Sequence, residues 1–442
     1  MPQGVATIVY GLVILALFQL DRDRQSRVSP ALWIPVAWVL LAGSRMVSGW
    51  LEPARVIMSP EQYLDGSPLD RLVLAGLLAA GLMVLLARGR RAGTFVRANG
   101  PILLFFLYGA VSVLWSDYPD VAFKRWTKAV GDIVMVLVVL SDPDPSAAVK
   151  RLLARAGFLL IPFSVLLIKY YPDLGQAYNP WTWGAYYTGV ATGKNGLGLV
   201  CLIFGLGSLW RFLEAFHSGE RPLMTEPLIA HGAVLAMALW LFGKADSATS
   251  LGCFVIGSGL IGVMSLPRLA RKRTAAHVLV VGIVFLCLFG LFLDSDAGLA
   301  QAMGRDTTLT GRTALWDQLL RMPVNSLFGA GFESFWLGGR LEKFWKAYWW
   351  HPNQAHNGYI EVFLNLGWVG VALLGFVMVW GYGNIAGSLQ QSPELGRLRL
   401  AYFVVAVLYN LTEAAFKMLH PVWTTFLLAI LVAPDATRRE DG

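Results

Sequence analysis

HPNQAHNGYIEVFLNLGWVGVALLG, residues 351–375, joins a polar cluster to an apolar run. From Leu366 onward it reads as an ordinary membrane span, yet His351, Asn353, His356, Asn357, Glu361 and Asn365 crowd the residues before it. On a helix Asn357, Glu361 and Asn365 recur at i, i+4 and i+8 and form one polar stripe. Such a stripe is costly against lipid, so it should face a bundle interior or a water-filled cavity.

The rest of the chain supplies the bundle. Of 442 residues 56% are hydrophobic and only 14% charged, against about 25% charged in soluble domains. Apolar runs of about 20 residues alternate with short charged stretches, the pattern of transmembrane helices. Spans are expected at 4–20, 32–51, 71–87, 100–115, 126–140, 156–170, 195–213, 227–243, 249–266, 278–294, 358–382, 398–416 and 421–433. The last is short enough to be re-entrant or tilted. The fold class is therefore all-α, a polytopic membrane protein with about 12–13 transmembrane helices. The N-terminus lacks the basic start and small-residue cleavage site of a signal peptide and reads as a retained first span.

Net charge is +8, but no basic stripe with interleaved aromatics points to nucleic acid. The linkers 21–30, 88–98, 141–155, 211–226, 267–277 and 383–399 and the C-terminal tail hold 20 of the 36 Lys+Arg, which marks their side as cytoplasmic. Cys201, Cys253 and Cys287 lie inside apolar runs and suggest no metal site.

One outer connection, 295–357, is far longer than the others, and connections of that length are usually functional. TGRTALWDQLLRMP (310–323) reads as a helix with Thr310 as N-cap, Leu315 and Leu319 on one face and Pro323 as its stop. The span 398–416 repeats the polar stripe with Asn410, Glu413 and Lys417, the last two an i, i+4 pair, followed by His420. Outer cations gather near both stripes: Lys124, Arg125, Lys128, Lys194, Lys244 and Arg312, the last in the first turn of the loop helix, where an anion is favoured. Such cations suit a diphosphate. Imidazole titrates close to neutrality, so His356 is a candidate general base. Plainer roles stand beside these: Lys194 and Lys244 as snorkelling interfacial lysines, the stripe of Asn357 and Glu361 as helix–helix hydrogen bonding.

Several stretches in order resemble the bacterial O-antigen ligase and polymerase superfamily: GVATGKNGLGL (189–199), GKADSATSLG (243–252), LTGRTALWDQL (309–319), LFGAGFESFW (327–336) and HNGYIEVFLNLGWVG (356–370). The resemblance implies a GT-C-like, integral-membrane glycosyltransferase of the bacterial inner membrane, multi-pass, with its active site facing the periplasm. It implies metal-independent transfer without a cofactor, His356 as base and Arg312 on the donor diphosphate; Arg125 and Lys244, from the outer cations above, are the candidate supporting charges. Relatives often carry arginine after the hairpin serine, whereas Ala248 follows Ser247 here, and Lys244 is the candidate replacement. Lys194-Asn195 resembles a pair of the exopolysaccharide branch. The expected core is 189–375, flanked by transmembrane helices in 1–188 and 376–442.

The reading is a polymerase that joins undecaprenyl diphosphate-linked repeats into exopolysaccharide or an O-antigen-type chain. Its expected partners are that donor, a glycan or lipid A core acceptor, the bilayer, and a chain-length regulator or flippase. A ligase with a lipid A core acceptor shares the same chemistry. A transporter of the same lipid would more often show inverted repeats and polar residues at the bilayer midplane.

Overall fold

The computed structural model describes residues 1–23, 27–53, 64, 66–178, 183–218, 226–266, 273–293, 308–348 and 350–432. The chain first forms α1 (Gln3–Leu20), α2 (Trp33–Gly43), α3 (Val47–Leu51), α4 (Pro68–Ala87), α5 (Arg90–Ala98), α6 (Gly100–Val111), α7 (Pro119–Leu140) and α8 (Pro145–Tyr170). A hairpin follows, β1 (Gln176–Tyr178) antiparallel to β2 (Ala185–Tyr187) with Ala177 opposite Tyr186. Then come α9 (Lys194–Ser218), α10 (Glu226–Ala245), α11 (Ala248–Met264), α12 (Arg273–Leu293), α13 (Thr308–Leu320), α14 (Gly338–Ala347), α15 (Gly358–Gln391), α16 (Pro393–Tyr409) and α17 (Pro421–Ile430). Apart from the hairpin, this is the all-α polytopic membrane architecture that the composition predicts.

Among the described residues, α1, α4, α8, α9, α10 and α15 are long and apolar enough to cross a bilayer, and five shorter apolar helices accompany them. The apolar windows of α8 and α9 are 78% and 72% buried, those of α1 and α4 only 11% and 17%. The first pair is the centre of the bundle and the second pair faces lipid. Lipid tails are as apolar as leucine, so close packing, not exclusion from water, holds that centre together.

Hydropathy alone misplaces several ends. The expected span 126–140 begins at Pro119, so Lys124, Arg125 and Lys128 ride on α7. The span 156–170 begins at Pro145, where Asp144 caps the helix by accepting from Ala147 N at 3.0 Å; Arg151 and Arg155, assigned to a linker, are helical. The span 32–51 divides into α2 and α3. The loop 295–357 is described only from residue 308, and residue 433 of the last expected span also lies outside the described residues.

The largest departure concerns 398–416. Its helix ends at Tyr409, and residues 410–420 continue without helical form before the ten-residue α17. Irregular backbone within a membrane protein must find internal hydrogen bonds. Asn410 Oδ1 accepts from Ala415 N at 2.8 Å and Phe416 N at 3.0 Å. Asp132, fully buried on α7, accepts from Leu419 N at 2.9 Å and from Trp38 Nε1 at 2.8 Å. Glu413 and Lys417 are therefore not an i, i+4 helical pair.

Candidate functional site

The loop helix α13 begins at Thr308, so Thr310 lies inside it instead of capping it, and Arg312 falls beyond the first turn, away from the free N–H groups. Leu315 and Leu319 are fully buried, as their shared face predicts, and pack with Phe335, Trp336, Leu341 and Phe344 into a small core of the loop's own. Trp316 Nε1 donates to Ala355 O at 2.7 Å and ties α13 to the polar stretch before α15.

Residues 326–331 then run beside a break in α15. Ala330 N donates to Leu364 O (3.0 Å), Gly331 N to Asn365 O (2.9 Å), Trp368 N to Ser326 O (2.9 Å) and Val369 N to Leu327 O (3.2 Å). Gly329 and Gly367 make this approach possible. Their φ values are +73° and +64°, and a Cβ would stand 2.4 Å from the Asn365 backbone at the first and 2.3 Å from the Leu327 backbone at the second. The expected continuous span 358–382 is thus interrupted at Gly367 and extends to Gln391. The glycines of LFGAGFESFW let the loop seat against this break.

Above the break, Glu413 collects three segments of the chain. Its Oε2 lies 3.2 Å from His356 Nδ1; its Oε1 accepts from Arg312 Nη2 at 3.3 Å and from Asn195 Nδ2 at 3.2 Å. Glu413 and His356 side chains are 9% and 21% exposed, so the cluster is sheltered with His356 still accessible. Arg312 also donates through Nη1 to Thr412 O at 2.5 Å, using two of a guanidinium's five N–H groups in these contacts. His356 takes a left-handed backbone, φ +50°, uncommon outside glycine.

The His356 Nδ1 has two neighbours of opposite demand. Gln354 Nε2, a donor, lies at 3.4 Å, and its amide is oriented by Lys417 Nζ donating to Gln354 Oε1 at 3.0 Å. The Glu413 carboxylate is closer and charged, so it wins. An Nδ1–H directed at that carboxylate leaves Nε2 with a free lone pair, as in carboxylate-oriented histidines generally.

The other singled-out residues fall in different places. Asn357 caps α15: its Oδ1 accepts from Tyr359 N (3.0 Å) and Ile360 N (3.1 Å), and its Nδ2 donates to Leu411 O (3.0 Å). Glu361 and Asn365 are buried, as the stripe predicts, but they bind protein backbone: Glu361 Oε2 accepts from Ala355 N at 2.8 Å, Asn365 Oδ1 from Phe335 N at 3.0 Å. Arg125 donates to Glu333 O at 2.5 Å, and burial pushes the Glu333 carboxyl up against the opposing pull of Arg125 and Lys417. Lys194, at the start of α9, pairs with Asp246 at 3.1 Å in the open. Lys244 stands over the rings of Tyr187 and Trp240 at 5.2 and 5.7 Å. Enclosure and nearby Lys417 push the His420 imidazole down to about 3, consistent with its accepting from Val422 N as a cap.

Glu413 is the residue that sequence reasoning assigned to the wrong partner. Its signal was visible, a carboxylate at the end of an apolar run, but its three partners lie 57, 101 and 218 positions away.

Residues 232–375 match the O-antigen ligase family. Over 306 residues the chain is 26% identical to the exopolysaccharide production protein ExoQ of Rhizobium meliloti (strain 1021), covering 66% of this chain and 67% of the relative. The family match holds Lys244, Arg312, His356 and the paired glycines, while Asn195 and Glu413 lie outside it. A polytopic α-helical body carries both matches, and the chain is thus similar, over these residues, to O-antigen ligases and to an exopolysaccharide production protein.

Proposed function

We propose that this protein is a polymerase that transfers a growing glycan from undecaprenyl diphosphate onto a hydroxyl of the next lipid-linked repeat, at the periplasmic face of the bacterial inner membrane. The observation that carries the reading is the Glu413 cluster, which brings a histidine, an arginine and an asparagine from three distant segments to one carboxylate. His356 Nε2 accepts the proton of the attacking hydroxyl. That oxygen bonds the donor's anomeric carbon as the bond from this carbon to the diphosphate oxygen breaks. Glu413 stabilises the imidazolium that forms. Arg312 takes up charge on the departing diphosphate through N–H groups not spent on Thr412 and Glu413, and Lys194 and Lys244 are assigned as further cations for it. With Arg and Lys carrying that charge, the transfer is metal-independent.

The similarity to an exopolysaccharide production protein favours polymerase over ligase. The test is purified protein with an undecaprenyl diphosphate-linked oligosaccharide in EDTA, products resolved by size, wild type beside His356→Ala. A ladder of longer lipid-linked glycans is expected, falling about 10²–10⁴-fold in the variant. An undiminished ladder in His356→Ala refutes the base. Single transfer to added lipid A core without a ladder refutes the polymerase and supports the ligase.

A further inference from the structure

The end of the bundle opposite the His356 cluster carries a second polar assembly, which the transfer chemistry does not use. Asp21, just after α1, accepts from Arg211 Nη2 at 3.2 Å and lies 3.3 Å from His231 Nε2. Arg211 also donates to Glu214 at 2.5 Å, and Lys150 pairs with the same carboxylate. Two carboxylates and two cations thus neutralise one another.

Beside this balanced group lies a cavity of about 180 Å³ between Asp21, Arg22, Arg151, Arg155 and the rings of Phe18 and Phe158. Arg155 decides its chemistry. Its guanidinium lies 4.5 Å over the Trp33 ring, and its Nη1 is buried with no hydrogen-bond partner among the described residues. An unsatisfied buried guanidinium N–H is costly, and Asp21 is turned to Arg211 and His231 instead. Two of the walls are aromatic rings, and among the described residues the neighbouring α1 is the least buried of the six helices long and apolar enough to cross a bilayer.

We propose that this cavity binds the phosphate of an anionic membrane phospholipid, held by Arg155 and Arg22, with Phe18 and Phe158 against its glycerol and upper acyl chain. Basic pockets between transmembrane helices take such head groups, because the phosphate supplies acceptors and the chains stay in the bilayer. A free phosphate offers the same acceptors but leaves the aromatic wall unused.

Native mass spectrometry on the detergent-purified full chain tests this, with phosphatidylglycerol, phosphatidylcholine and glycerol 3-phosphate as probes. One phosphatidylglycerol should be retained in preference to phosphatidylcholine, about tenfold more weakly in Arg155→Gln. Arg22→Gln, at an exposed position that leaves the Trp33 stack intact, should weaken it in the same direction and decides the matter if Arg155→Gln does not fold. Wild-type retention in Arg22→Gln and in any folded Arg155→Gln overturns the site. Displacement of the lipid by equimolar glycerol 3-phosphate overturns the assignment to a membrane lipid.

Discussion

At the end that carries Asp21, charged partners stand on regular helices or at their caps: Lys150 on α8, Arg211 and Glu214 on α9, His231 on α10. At the loop end Arg312 and Asn195 stand on α13 and α9, but the carboxylate and the histidine stand on irregular backbone. Glu413 lies past the end of α16 and His356 just before α15. The backbone geometry divides the same way. Among the described residues, Trp183, Asp246, Glu333, His351 and His356 take left-handed φ in the loop-end connections, and Leu419 does so in the stretch 410–420. None is at the Asp21 end. Each such residue costs about 1–3 kcal/mol and persists only where its surroundings hold it. Helices suffice to balance charges against one another. At the loop end the histidine and the carboxylate that it faces both leave the helix, while the arginine reaches them from α13.

The largest expected effect tests that contrast directly. Glu413→Gln keeps the shape of the hub and removes its charge, so glycan transfer should fall about 10–100-fold while thermal unfolding changes little. Unaltered transfer would mean that the cluster is scaffolding, and the two ends would then differ only in style. Next comes the backbone. Gly329→Ala should lose at least about 2 kcal/mol, because it combines a left-handed φ with a Cβ against the Asn365 backbone. Gly259→Ala on α11, where a Cβ meets nothing within 4 Å, should be neutral or gain up to about 1 kcal/mol. Equal unfolding midpoints for the two variants would remove the claim that the loop is seated by its glycines.

The smallest effect belongs to the Asp21 end. Burial alone would push the Asp21 carboxyl up, but the His231 hydrogen bond and charge together with Arg211 hold it below the usual range. A carboxyl depressed in the folded state stabilises above its unfolded value, about 3.9, and that contribution fades as pH falls through the folded value. Asp21→Asn should therefore cost about 1 kcal/mol at pH 7, and the deficit should shrink on acidification. A deficit that is constant with pH would show that packing, not charge, holds that corner.

The long spans of α1, α4, α8, α9, α10 and α15 were legible, because a long apolar run has few other uses. So was the face of α13, where Leu315 and Leu319 are buried as their spacing predicts. Helix ends were not. Charges within the opening turns of α7 and α8, Lys124, Arg125, Lys150 and Arg151 among them, hide helical continuity from a hydropathy reading, and the end of α16 at Tyr409 is set by Asn410 turning its side chain onto Ala415 and Phe416. Asn357 and Glu361 were legible as polar and inward, but not as servants of backbone N–H groups. Local spacing shows which face a side chain occupies; its partner comes from elsewhere in the chain.

Asp132 leads to a consequence for biogenesis. At ten residues α17 is about 15 Å long, roughly half the thickness of the hydrocarbon layer. Such a segment does not partition from the translocon into lipid unaided. It enters beside the stretch 410–420, whose Leu419 N–H needs the Asp132 carboxylate already waiting on α7. The Leu419 N–H bond therefore forms only when α7 is in place, and Trp38 of α2 shares the same acceptor. Misplacing Asp132 would leave the Leu419 N–H and the Trp38 Nε1–H without the acceptor that holds this corner.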